Sequence, residues 1–203
     1  MNNRPIGIFD SGVGGLTVMA EIMKILPGEE IVYFGDTAHV PYGSKSPEVV
    51  TSFSLDIAAF LLKQKVKLIV VACNTASAFA LPTLEKKLKI PVIGVIEAGS
   101  SAAIRASRSG RIGIIGTEGT IRSSSYPRAI GSLDRSAKIF SKPCPLFVPL
   151  VEEGWLNHSV TIAVAGEYLR PLVAKKIDVL VLGCTHYPLI KRVLKKLRGP
   201  VLP

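Results

Sequence analysis

Two cysteines lie in segments of one design, Val70-Val71-Ala72-Cys73-Asn74-Thr75 and Val181-Leu182-Gly183-Cys184-Thr185-His186. Each segment closes an apolar run that reads as a buried β-strand, and each thiol is followed by small hydrogen-bonding residues. A thiolate is the basic form of cysteine, so two thiols in one site can serve as base and acid in turn. Set on opposite sides of a carbon, such a pair removes a proton from one face and returns one to the other. An ordinary thiol titrates near pH 8.5, so action at neutral pH calls for a lowered pKa. Both cysteines stand where a strand passes toward a helix, and a helix N-terminus favours an anion. A lowered thiol pKa is therefore expected. The third cysteine, Cys144 between Pro143 and Pro145, lacks this setting and reads as packing.

Other residues join the pair as candidates. Asp10-Ser11-Gly12-Val13-Gly14-Gly15 follows the first apolar run. Its glycines permit a sharp turn, and its backbone amides can hold an anion. It lacks the G-x-G-x-x-G order of a dinucleotide loop, and Asp10 would repel phosphate. A ligand carrying both ammonium and carboxylate fits better, with Asp10 facing the cation and Ser11 the anion; an ordinary helix cap is the competing reading. His186, two residues after Cys184, can tune or protonate a thiol, or serve as a hydrogen-bonded structural histidine. Glu152 and Glu153 end the apolar run 147–151. The polar stretch 36–43, with Pro41, Tyr42 and Gly43, suits a loop that covers a substrate or a plain connection.

These residues need a scaffold, and the chain alternates apolar runs with amphipathic stretches. Strands are expected at 6–9, 31–34, 68–72 and 92–95, with helices at 16–26, 47–64 and 76–88. In the 47–64 helix, Phe53, Ile57, Phe60 and Leu61 share one side. Such repetition predicts a parallel sheet covered by helices. The pattern then restarts with a strand at 112–115. Residue 112 follows residue 6 by 106 positions, and Cys184 follows Cys73 by 111. Similar offsets in the same order indicate a duplicated unit. The expected fold is α/β, with two similar doubly wound parallel-sheet domains, residues 1–97 and 98–203, facing each other across a cleft. Ligands of open α/β sheets bind beyond the carboxyl ends of the strands. Asp10-Ser11, Cys73-Asn74-Thr75, the 117–120 stretch with Thr117 and Thr120, and Cys184-Thr185-His186 all fall at such ends.

Composition narrows the function classes. The 203 residues are 48% apolar, enough for a well-filled core, and no apolar run is long enough to span a bilayer. The start, Met1-Asn2-Asn3-Arg4-Pro5, lacks the apolar region of a signal peptide, which points to a cytoplasmic protein. Three cysteines without an export signal argue against a disulfide framework, and His39, His158 and His186 form no spaced metal motif with them. The net charge of +10 could attract nucleic acid or anionic metabolites. Its basic runs at 85–89 and 191–198 have helical spacing and read as solvated faces.

The chain resembles the glutamate racemases. The resemblance rests on the 7–16 segment around Asp10-Ser11-Gly12, Tyr33-Phe34-Gly35-Asp36, Pro41-Tyr42-Gly43, Ala72-Cys73-Asn74-Thr75-Ala76, Gly116-Thr117, Pro149-Leu150-Val151-Glu152 and Gly183-Cys184-Thr185-His186-Tyr187-Pro188. It implies that Cys73 and Cys184 are the acid/base thiols. Asp10 and His186 assist them respectively, and Glu152 assists on the Cys184 side, with Glu153 as the nearby alternative. It further implies that Asp10, Ser11, Pro41, Tyr42, Gly43, Asn74, Thr75, Thr185 and His186 bind glutamate, with Thr117 and Thr120 as weaker candidates. Neither pyridoxal phosphate nor a metal is expected. The implied role is supply of D-glutamate for peptidoglycan by a homodimer, with room for a second interaction with DNA gyrase. The resemblance also implies a further C-terminal segment that returns to complete the first domain, without which that domain would expose apolar surface. An aspartate racemase, a hydantoin- or malonate-type relative, a non-catalytic binding protein and a thiol-redox protein are the competing readings.

Overall fold

The computed structural model describes residues 3–197 and the backbone of residues 201–202. The chain packs as two units, Met1–Val95 and Ile96–Pro203.

The first unit contains β1 (Ile6–Asp10), α1 (Leu16–Ile25), β2 (Ile31–Gly35), α2 (Pro47–Lys63), β3 (Leu68–Val71), α3 (Asn74–Phe79), α4 (Leu81–Lys87) and β4 (Val92–Gly94). Its strands are parallel in the order β2-β1-β3-β4. All of β1 is buried, as an apolar strand covered on both faces must be. On one face, α2, α3 and α4 enclose Phe9, Ile69 and Val71. On the other, Val18, Met19 and Ile22 of α1 pack on Ile6, Ile8, Val70 and Ala72. No residue of α1 is fully buried, and Leu16, Met23 and Ile25 are exposed.

Local chemistry sets the helix boundaries. Ser46 caps α2 by accepting the Val49 amide, with Pro47 in the first turn. The buried positions of α2 are Val50, Ser54, Ile57, Ala58 and Leu61. Phe60, expected on that face, is 42% exposed and instead meets Phe34 of the edge strand β2. The helix expected at 76–88 starts earlier, at Asn74, and divides at Ala80 into α3 and α4. Pro82 has no amide proton to continue the ladder and occupies the first turn of a new helix.

The second unit contains α5 (Val95–Ala106), which begins at the unit boundary, then β5 (Arg111–Gly116), α6 (Glu118–Arg122), α7 (Ser125–Leu133), β6 (Lys138–Pro143), α8 (Phe147–Glu152), α9 (Ser159–Ala174), β7 (Val179–Gly183), α10 (Lys191–Lys196) and β8 (Val201–Leu202). Its parallel order, β6-β5-β7-β8, repeats that of the first unit strand for strand. Helices α8, α9 and α10 pack on Ile115, Leu180 and Leu182. Cys73 and Cys184 thus follow equivalent strands, β3 and β7. Among the described residues, no helix is long and apolar enough to cross a membrane.

Candidate active site

In the first unit, Asp10 ends β1, fully buried, and its carboxylate accepts the Gly12 amide at 3.1 Å. The turn after it is tight. A Cβ on Gly15 would lie 2.4 Å from the Asp10 Cβ and 2.8 Å from the Tyr33 hydroxyl, so glycine is required for this close approach. Tyr33 donates to the Gly12 carbonyl at 2.7 Å and fixes the turn from β2. The Asp36 amide donates to the Asp10 carbonyl at 3.0 Å.

Cys73, also buried, caps α3. Its sulfur accepts the Ala76 amide at 3.5 Å, and its thiol donates to the Ser11 hydroxyl at 3.7 Å. The expectation of a lowered pKa fails for this thiol. Burial, followed by the negative charge of Asp10, pushes it from near 9 up to about 12. The Ala76 amide and Ser11 hydroxyl oppose the shift without overcoming it. The same charges reach the phenols of Tyr33 and Tyr42, which burial chiefly raises above the usual tyrosine range. Tyr42 and Gly43 are buried, whereas Pro41 is exposed. The Tyr42 hydroxyl donates to Asp36 at 2.6 Å, and His39 Nδ1 pairs with the same carboxylate at 2.8 Å while stacking on Phe53. Asn74 and Thr75 are buried in the first turn of α3.

In the second unit, Cys184, Thr185 and His186 are buried just beyond β7. The Cys184 carbonyl accepts the Tyr187 amide at 3.2 Å, which opens a short 3-10 turn, Tyr187–Ile190, and not an α-helix. Contrary to expectation, the element that follows this thiol in the chain is thus not an α-helix. The thiol's partner is His186, with Nδ1 at 3.9 Å from Cys184 Sγ. The imidazole Nε2 meets Glu152 Oε1 at 2.5 Å. Glu152 comes from the last turn of α8, whose apolar residues Phe147, Val148 and Val151 are buried. Glu152, and not its exposed neighbour Glu153, is paired with His186. A carboxylate at Nε2 favours the tautomer with its proton there, leaving Nδ1 directed at the thiol as a proton acceptor.

Thr117 and Thr120 are buried beyond β5. Thr117 caps α6 by accepting the Thr120 amide at 3.2 Å, and the two hydroxyls lie 3.1 Å apart. All three cysteines are free thiols. Cys144 is buried with its Sγ against the Lys142 carbonyl, and apolar surroundings hold it above the usual thiol range.

Three tyrosines near these sites carry no expectation from sequence. Besides Tyr33, Tyr126 of α7 lies against residue 183: a Cβ on Gly183 would approach its ring at 3.2 Å. Burial and the neighbouring Cys184 both raise the Tyr126 phenol above its usual range. The Tyr187 hydroxyl donates to the carbonyl of Cys144, just beyond β6. A buried tyrosine needs a partner for its hydroxyl, and that need is the signal that could have singled them out.

Comparisons with known proteins agree with the fold and extend it. The family described as Asp/Glu/Hydantoin racemase matches residues 6–202. A glutamate racemase from Geobacter metallireducens is 58% identical over 196 residues, covering 97% of this chain and 73% of the relative. The crystal structure of a glutamate racemase isoform from Bacillus anthracis superposes with a TM-score of 0.96 at 44% identity, covering 100% of this chain and 77% of that one. That of a Francisella tularensis glutamate racemase in complex with D-glutamate gives 0.94 at 43% identity, covering 100% and 76%. By the extent of the family match and by these identities, the chain belongs to the Asp/Glu/hydantoin racemase family.

Proposed function

We propose that the protein interconverts L- and D-glutamate by proton transfer at the α-carbon, with Cys73 and Cys184 as the two acid/base groups. The observation that carries this reading is the placement of a buried thiol beyond the equivalent strand of each repeated sheet, β3 and β7. The high identity to glutamate racemases supports glutamate as the substrate.

One cysteine, as thiolate, takes the α-proton and becomes a thiol. The other, as thiol, delivers its proton to the opposite face and becomes a thiolate. The roles exchange in the reverse direction, so the two titrations are coupled. The α-proton of an amino acid is weakly acidic, and the carbanion-like state needs a dry, preorganised polar site. Asp10 receives the substrate ammonium. That cation neutralises the carboxylate whose charge helps hold the Cys73 thiol up, so binding itself favours the Cys73 thiolate. On the other side, His186 Nδ1 takes or returns the Cys184 proton while Glu152 holds Nε2. Ser11, Pro41, Tyr42, Gly43, Asn74, Thr75, Thr117, Thr120 and Thr185 supply the remaining contacts to the substrate.

In this reading residues 1–97 and 98–203 each give one thiol. Self-association as a homodimer and an interaction with DNA gyrase follow from the resemblance, and a cytoplasmic location from the composition of the chain. Sedimentation and a salt-dependent gyrase pull-down test the first two.

Circular dichroism of L- and D-glutamate incubated with the protein tests the activity. Convergence of both on the racemate supports the reading. No change in either sample with folded protein overturns it, and faster change with aspartate in a parallel assay transfers it to an aspartate racemase.

A further inference from the structure

The carbonyl of Cys144 is a junction in the second unit. It accepts two hydrogen bonds, from the Phe147 amide at 3.2 Å and from the Tyr187 hydroxyl at 2.8 Å. The Cys144 amide donates to the Gly116 carbonyl at 2.9 Å, so this junction is anchored to the central strand β5. Phe147 is the first residue of α8, and Glu152 is its last. Tyr187 follows His186 directly. The contacts therefore close a ring: from the Cys144 carbonyl along α8 to Glu152, across to His186, on to Tyr187, and back to the same carbonyl. The loop that carries the thiol is pinned to one short helix at both of its ends.

The ring is rigid as well as closed. Tyr187 is fully buried, and its side chain meets Phe147 edge-on with centroids 5.2 Å apart. Phe147 meets Tyr168 of α9 edge-on at the same separation. Burial, with the neighbouring Cys184 and Cys144, keeps the phenol well above its usual range, so at working pH it holds its proton and can donate it to the carbonyl. The proposed proton transfers leave this hydroxyl unused.

We propose that Tyr187 is a positioning residue: its hydrogen bond to the Cys144 carbonyl sets the spacing between α8 and the Cys184–His186 loop, and thereby holds the imidazole between Glu152 and the thiol. This rests on the reading of Cys184 and His186 as an acid/base pair. With Nδ1 already 3.9 Å from the sulfur, little slack separates a proton-transfer contact from none.

Kinetics of Y187F in both directions test it, with E152Q and the double variant alongside. The expected result is a kcat lowered about tenfold with KM for glutamate unchanged, and an altered pH profile of kcat. In the E152Q background, removal of the hydroxyl has little further effect, because both changes act through the same imidazole. Tyr187→p-aminophenylalanine, which keeps a donor at the same place, recovers activity. An unchanged kcat in Y187F, or a loss of equal size with and without Glu152, overturns the proposal. If Y187F fails to fold by circular dichroism, Tyr187→p-fluorophenylalanine, which fills the hydroxyl's place without a donor, decides: a lowered kcat with a shifted pH profile supports the proposal, and wild-type kcat and profile overturn it. A wild-type protein that does not racemise glutamate removes the underlying reading instead, so the two failures are told apart.

Discussion

The two thiols occupy the same place in a repeated fold and are surrounded by different chemistry. Cys73 lies among a hydroxyl, a backbone amide and the charge of Asp10, with burial raising its pKa to about 12. Cys184 has an imidazole at its sulfur, backed by a carboxylate. The backbone supplies a strand end in both units, and the side chains that follow decide how the proton is handled. In the proposed mechanism the substrate's own charge helps release the proton at Cys73, whereas His186 is the acceptor at Cys184. Duplication of a scaffold therefore need not duplicate the acid/base machinery, and a racemase must lower the barrier on two dissimilar faces.

The widest test of this contrast is removal of each sulfur. C73S and C184S should each lower kcat by about a thousandfold while leaving the far-ultraviolet circular dichroism unchanged. A variant that keeps turnover near the wild-type rate would strip its half of the acid/base role. Next comes the machinery that differs. H186N should lower kcat about a hundredfold and alter the pH profile. D10N has two opposed consequences: it removes the group that receives the ammonium, and it lowers the Cys73 pKa, since the Asp10 charge is one of the causes that raise it. Thiolate absorbance titrated in the ligand-free protein should move to lower pH in D10N and stay in place for Cys73 in H186N. Equal movement in both would erase the distinction.

A smaller effect concerns the turn that holds Asp10. G15A places a Cβ 2.4 Å from the Asp10 Cβ and should destabilise the fold by about 1–3 kcal/mol in urea unfolding. On the other side Gly183, directly before Cys184, would bring its Cβ within 2.8 Å of the Ile115 carbonyl, so G183A should also destabilise, by crowding backbone and not the acid.

The smallest effect is the pH dependence of stability. An unfolded thiol loses its proton near pH 8.5, whereas folded Cys73 keeps its own up to about pH 12. The folded chain thus binds more protons across that window. Its contribution is complete below the unfolded value and is lost as pH rises through the window, by about 1.4 kcal/mol per pH unit for one proton. C73S should make the decline of unfolding free energy between pH 8.5 and 10 less steep by that amount. An unchanged slope would mean that Cys73 is not held protonated.

Much of this layout is legible in the sequence, for physical reasons that differ by element. The strands of a parallel sheet are apolar on both faces, so β1, β3, β5 and β7 stand out as continuous runs, and the near-equal spacing of Cys73 from β1 and of Cys184 from β5 exposes the repeat. The break at Ala80 was hidden because alanine and leucine favour helix on both sides of Pro82. The pairing of Glu152 with His186 spans 34 residues and depends on where α8 ends, which no local pattern encodes. The thiol pKa was misread for a related reason. Proximity to a helix start is visible in sequence, whereas complete burial beside Asp10 follows only from the packing of β1 against β3.

In the proposed reaction two different groups exchange protons with the α-carbon, one on each face. Racemisation of L-glutamate in deuterated water, stopped early and resolved by enantiomer in a mass spectrometer, tests it most directly. D-glutamate should carry one α-deuterium while the remaining L-glutamate is nearly free of it, because the accepting thiol returns the original proton to the face it left. Deuterium appearing equally in both enantiomers, or protium carried over into the product, would show a single group serving both faces and would contradict the assignment of one thiol to each.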